Sequence, residues 1–166
     1  MNRTILLLGS NEGDRCALLR SARLELTRRA GTIHRSSPLY ETAAWGKTDQ
    51  PAFLNQALEL STPLDPEALL SATQNIEQLL GRQRIEKWGS RTLDIDILFY
   101  NDAVICTPAL NIPHPELSRR RFALVPVAAI APDLQHPLLR QSIAELLREC
   151  PDPLPVTEFS CHQDYN

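Results

Sequence analysis

The run Leu93-Asp94-Ile95-Asp96-Ile97-Leu98-Phe99 admits few backbones. Two aspartates alternate with apolar residues, and a period of two is the period of a strand. At a rise of ~3.3 Å per residue, Asp94 and Asp96 share one face roughly 6.6 Å apart, while Leu93, Ile95 and Ile97 take the other. Like charges held side by side ask for a cation. The segment just before them, Gly81 to Arg91, holds Arg82, Arg84, Lys87 and Arg91. Carboxylates suit hard metal ions and guanidiniums suit phosphate oxygens, so a polyphosphate site is the first expectation. The plainer reading is a strand whose polar face meets water. Against it, Ile97, Leu98 and Phe99 continue the strand as a core element, which puts the acids at a mouth where sheet meets solvent.

A chain of 166 residues is expected to form a single domain (1–166) with a substantial core. Twenty acidic and seventeen basic residues give a net charge of -3, so no general positive field argues for nucleic acid or a membrane surface. Any positive field is local. No apolar run approaches the ~20 residues of a membrane helix, and Thr4 to Leu8 is too short for a secretion signal, so a cytoplasmic protein is expected. Cys16, Cys106, Cys150 and Cys161 lie far apart without zinc-type spacing and read as reduced thiols.

Thr4 to Leu8 suits a central strand covered on both faces, ended by Gly9-Ser10-Asn11. Asp14 can cap a following helix with Leu18, Ala22, Leu26 and Ala30 on one side and Gly31 as its stop. Thr32 to Glu41 reads as one extended segment. In Phe53 to Ser61, Leu54, Leu58 and Leu60 share one face and Phe53, Asn55 and Ala57 the other. Asp65-Pro66-Glu67 starts a second helix with Leu69, Ala72, Ile76, Leu79 and Leu80 as its stripe. The Asp94/Asp96 strand then completes a βαββαβ series. That is an α+β, ferredoxin-like plan with a mostly antiparallel sheet. Two further helices are expected to cover the sheet's second face in a three-layer α/β/α arrangement. One spans Phe122 to Ile130, interrupted by Pro126, and the other Gln141 to Arg148. Residues 151–166, rich in proline and polar residues, read as a loose tail.

The ten residues or so from Arg82 to Arg91 lack periodicity and are bounded by glycines. A solvated basic loop is the ordinary reading, and a mobile lid closing over a triphosphate is the functional one. Trp88 within it is either a hinge anchor or a ligand contact. His114, in Ile112-Pro113-His114-Pro115, is followed by Arg119, Arg120 and Arg121 and is a candidate phosphate contact. Gly9-Ser10-Asn11-Glu12-Gly13 lacks Walker or GxGxxG spacing, which excludes P-loop and dinucleotide-fold readings.

These residues resemble the signatures of the 6-hydroxymethyl-7,8-dihydropterin pyrophosphokinase family. The matching blocks are Leu8-Gly9-Ser10-Asn11, Gly13-Asp14-Arg15, Tyr40-Glu41-Thr42, Trp45-Gly46, Asp49-Gln50-Pro51, Phe53-Leu54-Asn55, Gly81-Arg82, Trp88-Gly89, Arg91 to Leu98, Pro113-His114-Pro115 and Arg120 with Phe122. They occur in the family's order across residues 4 to 132. The resemblance implies transfer of pyrophosphate from ATP to a pterin hydroxymethyl group in folate biosynthesis, giving AMP. It also implies two magnesium ions on Asp94 and Asp96, and Arg82 and Arg91 on the transferring group. Gln74, Glu77, Arg84, Ile97, His114 and Arg120 would lie on the ATP side. Thr42, Trp45, Phe53, Asn55, Trp88 and Phe122 would lie on the pterin side. Ser90, Ala44 and Glu116 depart from the pattern. A monomer acting on small molecules is expected. The competing expectations are a noncatalytic nucleotide- or pterin-binding module of the same fold and, more remotely, a single-stranded RNA binder.

Overall fold

Strand β1, Asn2–Ser10, is buried from Thr4 onward and runs antiparallel between β4 (Phe53–Thr62) and β5 (Asp94–Tyr100). The computed structural model describes residues 1–43, 51–81 and 93–162. The remaining elements, in chain order, are α1 (Arg15–Arg29), β2 (Thr32–Ser36), β3 (Leu39–Thr42), α2 (Pro66–Leu79), a short hairpin of β6 (Ile105–Cys106) and β7 (Asn111–Ile112), α3 (Arg121–Ile130), α4 (Ile143–Glu149) and β8 (Val156–Phe159). The sheet order is β5-β1-β4-β3-β8, with β2 also on β4, and its ladders are antiparallel. This is the ferredoxin-like order with one strand added at an edge.

Alternation along the strands separates two apolar layers. Leu6, Leu8, Leu54, Leu58, Leu60, Ile95 and Ile97 pack with Leu19, Ala22 and Leu26 of α1 and Leu69 and Ile76 of α2. Ile5, Leu7, Ala57, Leu98 and Phe99 pack with Ala123, Leu124, Val127 and Ile130 of α3 and Ile143 and Leu146 of α4. Capping places the helices. Asp14 accepts from the Ala17 N–H at 3.0 Å and Asp65 from the Ala68 N–H at 2.8 Å. At Gly31 a Cβ would run into the Ser61 carbonyl, so the turn out of α1 can pass this close to β4 only at a glycine.

Several sequence expectations are corrected. The extended segment from Thr32 to Glu41 is two strands, because Pro38 has no N–H for the ladder; Ser37 bridges the gap, donating to the Ala57 carbonyl at 2.9 Å. Leu79 is 55% exposed, so the α2 stripe is Leu69, Thr73, Ile76 and Glu77 instead. In α1, Leu19 and not Leu18 takes the buried position. Helix α3 runs through Pro126 without interruption. A helix-interior proline costs about 3 kcal/mol, and four buried aliphatic contacts along α3 outweigh it.

The expected loose tail is ordered to residue 162. Asp152 accepts from the Arg121 N–H at 3.2 Å and so caps α3, whose own N-cap residue Arg120 supplies no side-chain bond. Strand β8 extends the sheet along β3, pairing Leu39 with Phe159 and Thr42 with Val156. Beyond it Cys161 forms a disulfide with Cys16, so these two are not the reduced thiols expected; Cys106 and Cys150 are free. With a sequence separation of 145 between the partners, only the fold brings them together.

Candidate active site

The site begins at Gly9. In β1 this residue is in register with Asn55 of β4 on one side and Asp94 of β5 on the other. One residue pair further in, Leu7 stands between Ala57 and Asp96 in the same way. Ile95 and Ile97 enter the layer under α1 and α2, so Asp94 and Asp96 point to the face shared with α3 and α4, as does Asn55, two residues from Ala57. Both aspartates are half-buried. The Asn55 amide and the Asp94 carboxylate therefore lie across one row of three strands, with Asp96 one row further in. Adjacent strands are ~4.8 Å apart, which puts the Cα atoms of Asn55 and Asp94 about 10 Å from each other.

Asn55 is 5% exposed. Its Nδ2 donates to the Leu8 carbonyl at 3.2 Å, which fixes the amide's orientation and leaves Oδ1 buried with no hydrogen-bond partner among the described residues. Gly9 makes room for this arrangement, since a Cβ there would lie 2.8 Å from Nδ2. An unmet buried acceptor costs about 1–3 kcal/mol, so its retention points to a donor arriving with a ligand. Thr42, buried, pairs with Phe53 at the end of β3 and β4, and Phe53 shares Asn55's face.

The outer edge of β5 is held from two sides. Glu77 of α2, buried, accepts the Ile95 N–H at 3.4 Å, and the His114 N–H donates to the Leu98 carbonyl at 3.1 Å. His114 follows the cis Ile112–Pro113 bond, and its Nδ1 accepts from the Glu116 N–H at 3.2 Å. Burial pushes the imidazole pKa below its ordinary value, with Arg120 acting in the same sense and the charges of Asp96 and Glu116 opposing. With Nδ1 taken by the Glu116 N–H, the ring presents Nε2 to the site. Arg120 lies over the Phe122 ring at 5.7 Å. Asp96, His114, Arg120 and Phe122 thus converge on the face that carries Asn55.

Other expected residues sit elsewhere. Gln74 is exposed on α2, and Ile97 is buried in the opposite layer. Arg82, Arg84, Trp88 and Arg91, and with them the lid, lie outside the described residues, as does Trp45. Sequence reasoning read Gly9-Ser10-Asn11 as the end of the first strand, whereas β1 continues through Gly9 to Ser10, and the importance of Gly9 lies in cross-strand register that periodicity alone does not give.

A ferredoxin-like sheet with two carboxylates, a histidine and an arginine at one mouth is the architecture of an α+β phosphate-handling enzyme more than of a P-loop or dinucleotide fold. Comparison with known proteins agrees. A family model described as 7,8-dihydro-6-hydroxymethylpterin-pyrophosphokinase (HPPK) matches residues 5–132. The 2-amino-4-hydroxy-6-hydroxymethyldihydropteridine pyrophosphokinase of Aquifex aeolicus is 40% identical over 90% of this chain and 92% of its own length. The protein of the same name from Methylorubrum extorquens is 45% identical over 81% of this chain and 85% of its own. Among solved structures, a triple mutant of Plasmodium falciparum HPPK-DHPS matches with a TM-score of 0.76 at 20% identity, over 89% of this chain and 44% of that one. At that identity the structural match shows the fold alone. The chain belongs to the 7,8-dihydro-6-hydroxymethylpterin-pyrophosphokinase family, whose members are ATP-dependent pyrophosphokinases. No described helix is long and apolar enough to cross a membrane.

Proposed function

We infer that this chain transfers the pyrophosphoryl group of ATP to the hydroxymethyl oxygen of 6-hydroxymethyl-7,8-dihydropterin, releasing AMP, with the pterin seated between Asn55 and Asp94. The observation that carries the placement is the Asn55–Gly9–Asp94 row: a fixed amide with an unmet acceptor at one end and a carboxylate pair at the other. A flat bicycle with N–H donors on its amide edge satisfies Asn55 Oδ1, and its hydroxymethyl arm then extends toward Asp94 and Asp96. Phe53 and Phe122 supply apolar walls on the same side, and Thr42, in register with Phe53, closes the end of the site one row beyond Asn55.

Asp94 and Asp96 are hard oxygen donors suited to magnesium, which keeps several waters and commonly takes one or two protein carboxylates alongside phosphates. Bound there, two ions would neutralise phosphate charge and raise the acidity of the attacking hydroxyl. The protein's share is positioning. Attack by an alcohol on phosphorus depends on alignment and charge stabilisation more than on a strong base. His114 has its acceptor nitrogen occupied by the Glu116 N–H, so it serves as an Nε2–H donor to a phosphate oxygen and not as a base. Arg120, stacked on Phe122, adds fixed positive charge. Arg82, Arg84 and Arg91 are proposed to meet the triphosphate, with Trp45 and Trp88 on the pterin side; Gln74 and Ile97 are proposed on the nucleotide side. The test follows AMP release from ATP, magnesium and the hydroxymethyl dihydropterin. Pterin binding without AMP would make this a binding module and overturn the assigned reaction.

A further inference from the structure

The guanidinium of Arg15, at the first position of α1, touches three groups at once. Nη1 is 2.8 Å from Glu41 Oε2 and donates to the Ala52 carbonyl at 2.9 Å, and Cζ lies 5.1 Å from the centroid of the Phe159 ring. Glu41 directly precedes Thr42, and Ala52 directly precedes Phe53. Thr42 and Phe53 are themselves register partners where β3 and β4 end. One side chain from a helix therefore grips both strand ends beside the two residues read above as the end wall of the pterin site.

We propose that Arg15 is a positioning residue for the pterin subsite, setting the separation of Thr42 and Phe53 through Glu41 and the Ala52 carbonyl. The inference rests on the site reading of the preceding subsection and adds a residue to it. The chemistry favours arginine. Nη1 meets the Glu41 carboxylate and the Ala52 carbonyl while the planar guanidinium lays its face on the Phe159 ring, which the shorter, non-planar ammonium of a lysine does not reproduce. Stabilisation alone is a poor account of the contact, because the Arg15 and Glu41 side chains are 22% and 36% exposed, a setting where water screens an ion pair.

The guanidinium is itself held. Asp14 caps α1 through the Ala17 N–H at 3.0 Å, fixing the backbone beside Arg15. The Cys16–Cys161 disulfide joins the next residue to the chain just past β8, and β8 delivers Phe159. The C-terminal strand thereby contributes to the pterin site without touching it.

The test compares wild type with Arg15→Met, Arg15→Lys and Glu41→Gln. Dissociation constants for 6-hydroxymethyl-7,8-dihydropterin are measured without ATP, and KM is measured for each substrate. Arg15→Met is expected to raise the pterin Kd and KM about tenfold and to leave the ATP KM within about twofold. Arg15→Lys recovers less than half of that loss on a logarithmic scale, since its shorter, non-planar ammonium loses the stack on Phe159. Glu41→Gln, which keeps the shape and loses the charge, raises the pterin Kd about threefold and stands in if the Arg15 variants do not fold. Unchanged pterin affinity in folded variants, or equal rises for both substrates, overturns the proposal. Turnover is scored separately: a wild type that binds pterin and makes no AMP refutes the reaction while the affinity comparison still decides the role of Arg15.

Discussion

The two faces of the sheet use the same strands differently. Beneath α1 and α2, the positions Leu6, Leu8, Leu54, Leu58, Ile95 and Ile97 are filled along the length of the strands, each 6% exposed or less. Toward α3 and α4, Ile5, Leu7 and Ala57 are covered in the same way, but the row beyond them is Asn55, Gly9 and Asp94, with Asp96 beside it. A closed layer on one side supports an incomplete layer on the other. Because neighbouring residues of one strand serve opposite faces, stability and chemistry are separated by a single step along β5.

That separation can be broken most decisively at Asp96. Asp96→Asn is expected to slow AMP formation by about a thousandfold, roughly 4 kcal/mol in activation free energy, with little change in the urea midpoint. Retention of a tenth of the wild-type rate would mean that the carboxylate pair is not the reactive centre. One residue away, Ile95→Ala should do the reverse, with a loss of about 3 kcal/mol in urea unfolding and kcat within about threefold of wild type when assayed well below the transition. A large fall in kcat at full folding would show that the faces are coupled.

Asn55 sharpens the comparison further. Asn55→Ala should weaken pterin binding by about 2 kcal/mol, some thirtyfold, and Gly9→Ala by less, since its new methyl displaces the Asn55 amide without removing it. Calorimetric titration with the pterin distinguishes these from ATP-side effects. The smallest effect belongs to the filled end of the same face, where His136 meets Phe99 edge-on at 5.9 Å. Its Nδ1 accepts from the N–H groups of Leu138 at 3.2 Å and Leu139 at 3.0 Å, and burial holds its pKa below the ordinary value. The folded state thus binds fewer protons at this ring than the unfolded state does. Stability from this ring is complete above pH ~6.5 and declines as the pH falls below it. His136→Asn, which keeps an acceptor in the place of Nδ1, should flatten that acid limb in thermal unfolding followed across pH; an unchanged limb would place the titration elsewhere.

Much of this division is legible in the chain itself. Asp94 and Asp96 declare their shared face by period, Asp14 and Asp65 announce the helix starts, and the βαββαβ order follows from those elements. What a sequence does not carry is register. Gly9 gains its meaning only when β1 lies between Asn55 and Asp94, and Asn55 Oδ1 is orphaned only because Nδ2 is committed to the Leu8 carbonyl. The C-terminal segment escaped for a different reason. Val156-Thr157-Glu158-Phe159 is half polar, as an edge strand can be, and sits among prolines that ordinarily mark irregular chain. Pro126 misled in the opposite direction, because tertiary packing overrides a local rule.

Strand β8 has a consequence for synthesis. Every other strand of the sheet is complete once Tyr100 has been made, yet the outer edge of β3 acquires its partner only after Val156–Phe159 leaves the ribosome. For more than fifty residues of translation, about 3–11 s at 5–20 residues per second, the nascent chain carries an open row of backbone donors and acceptors along the outer edge of β3. The strand that finishes the sheet is also the one that ends its exposure to mispairing, so a chain truncated before Val156 would be expected to aggregate through that edge.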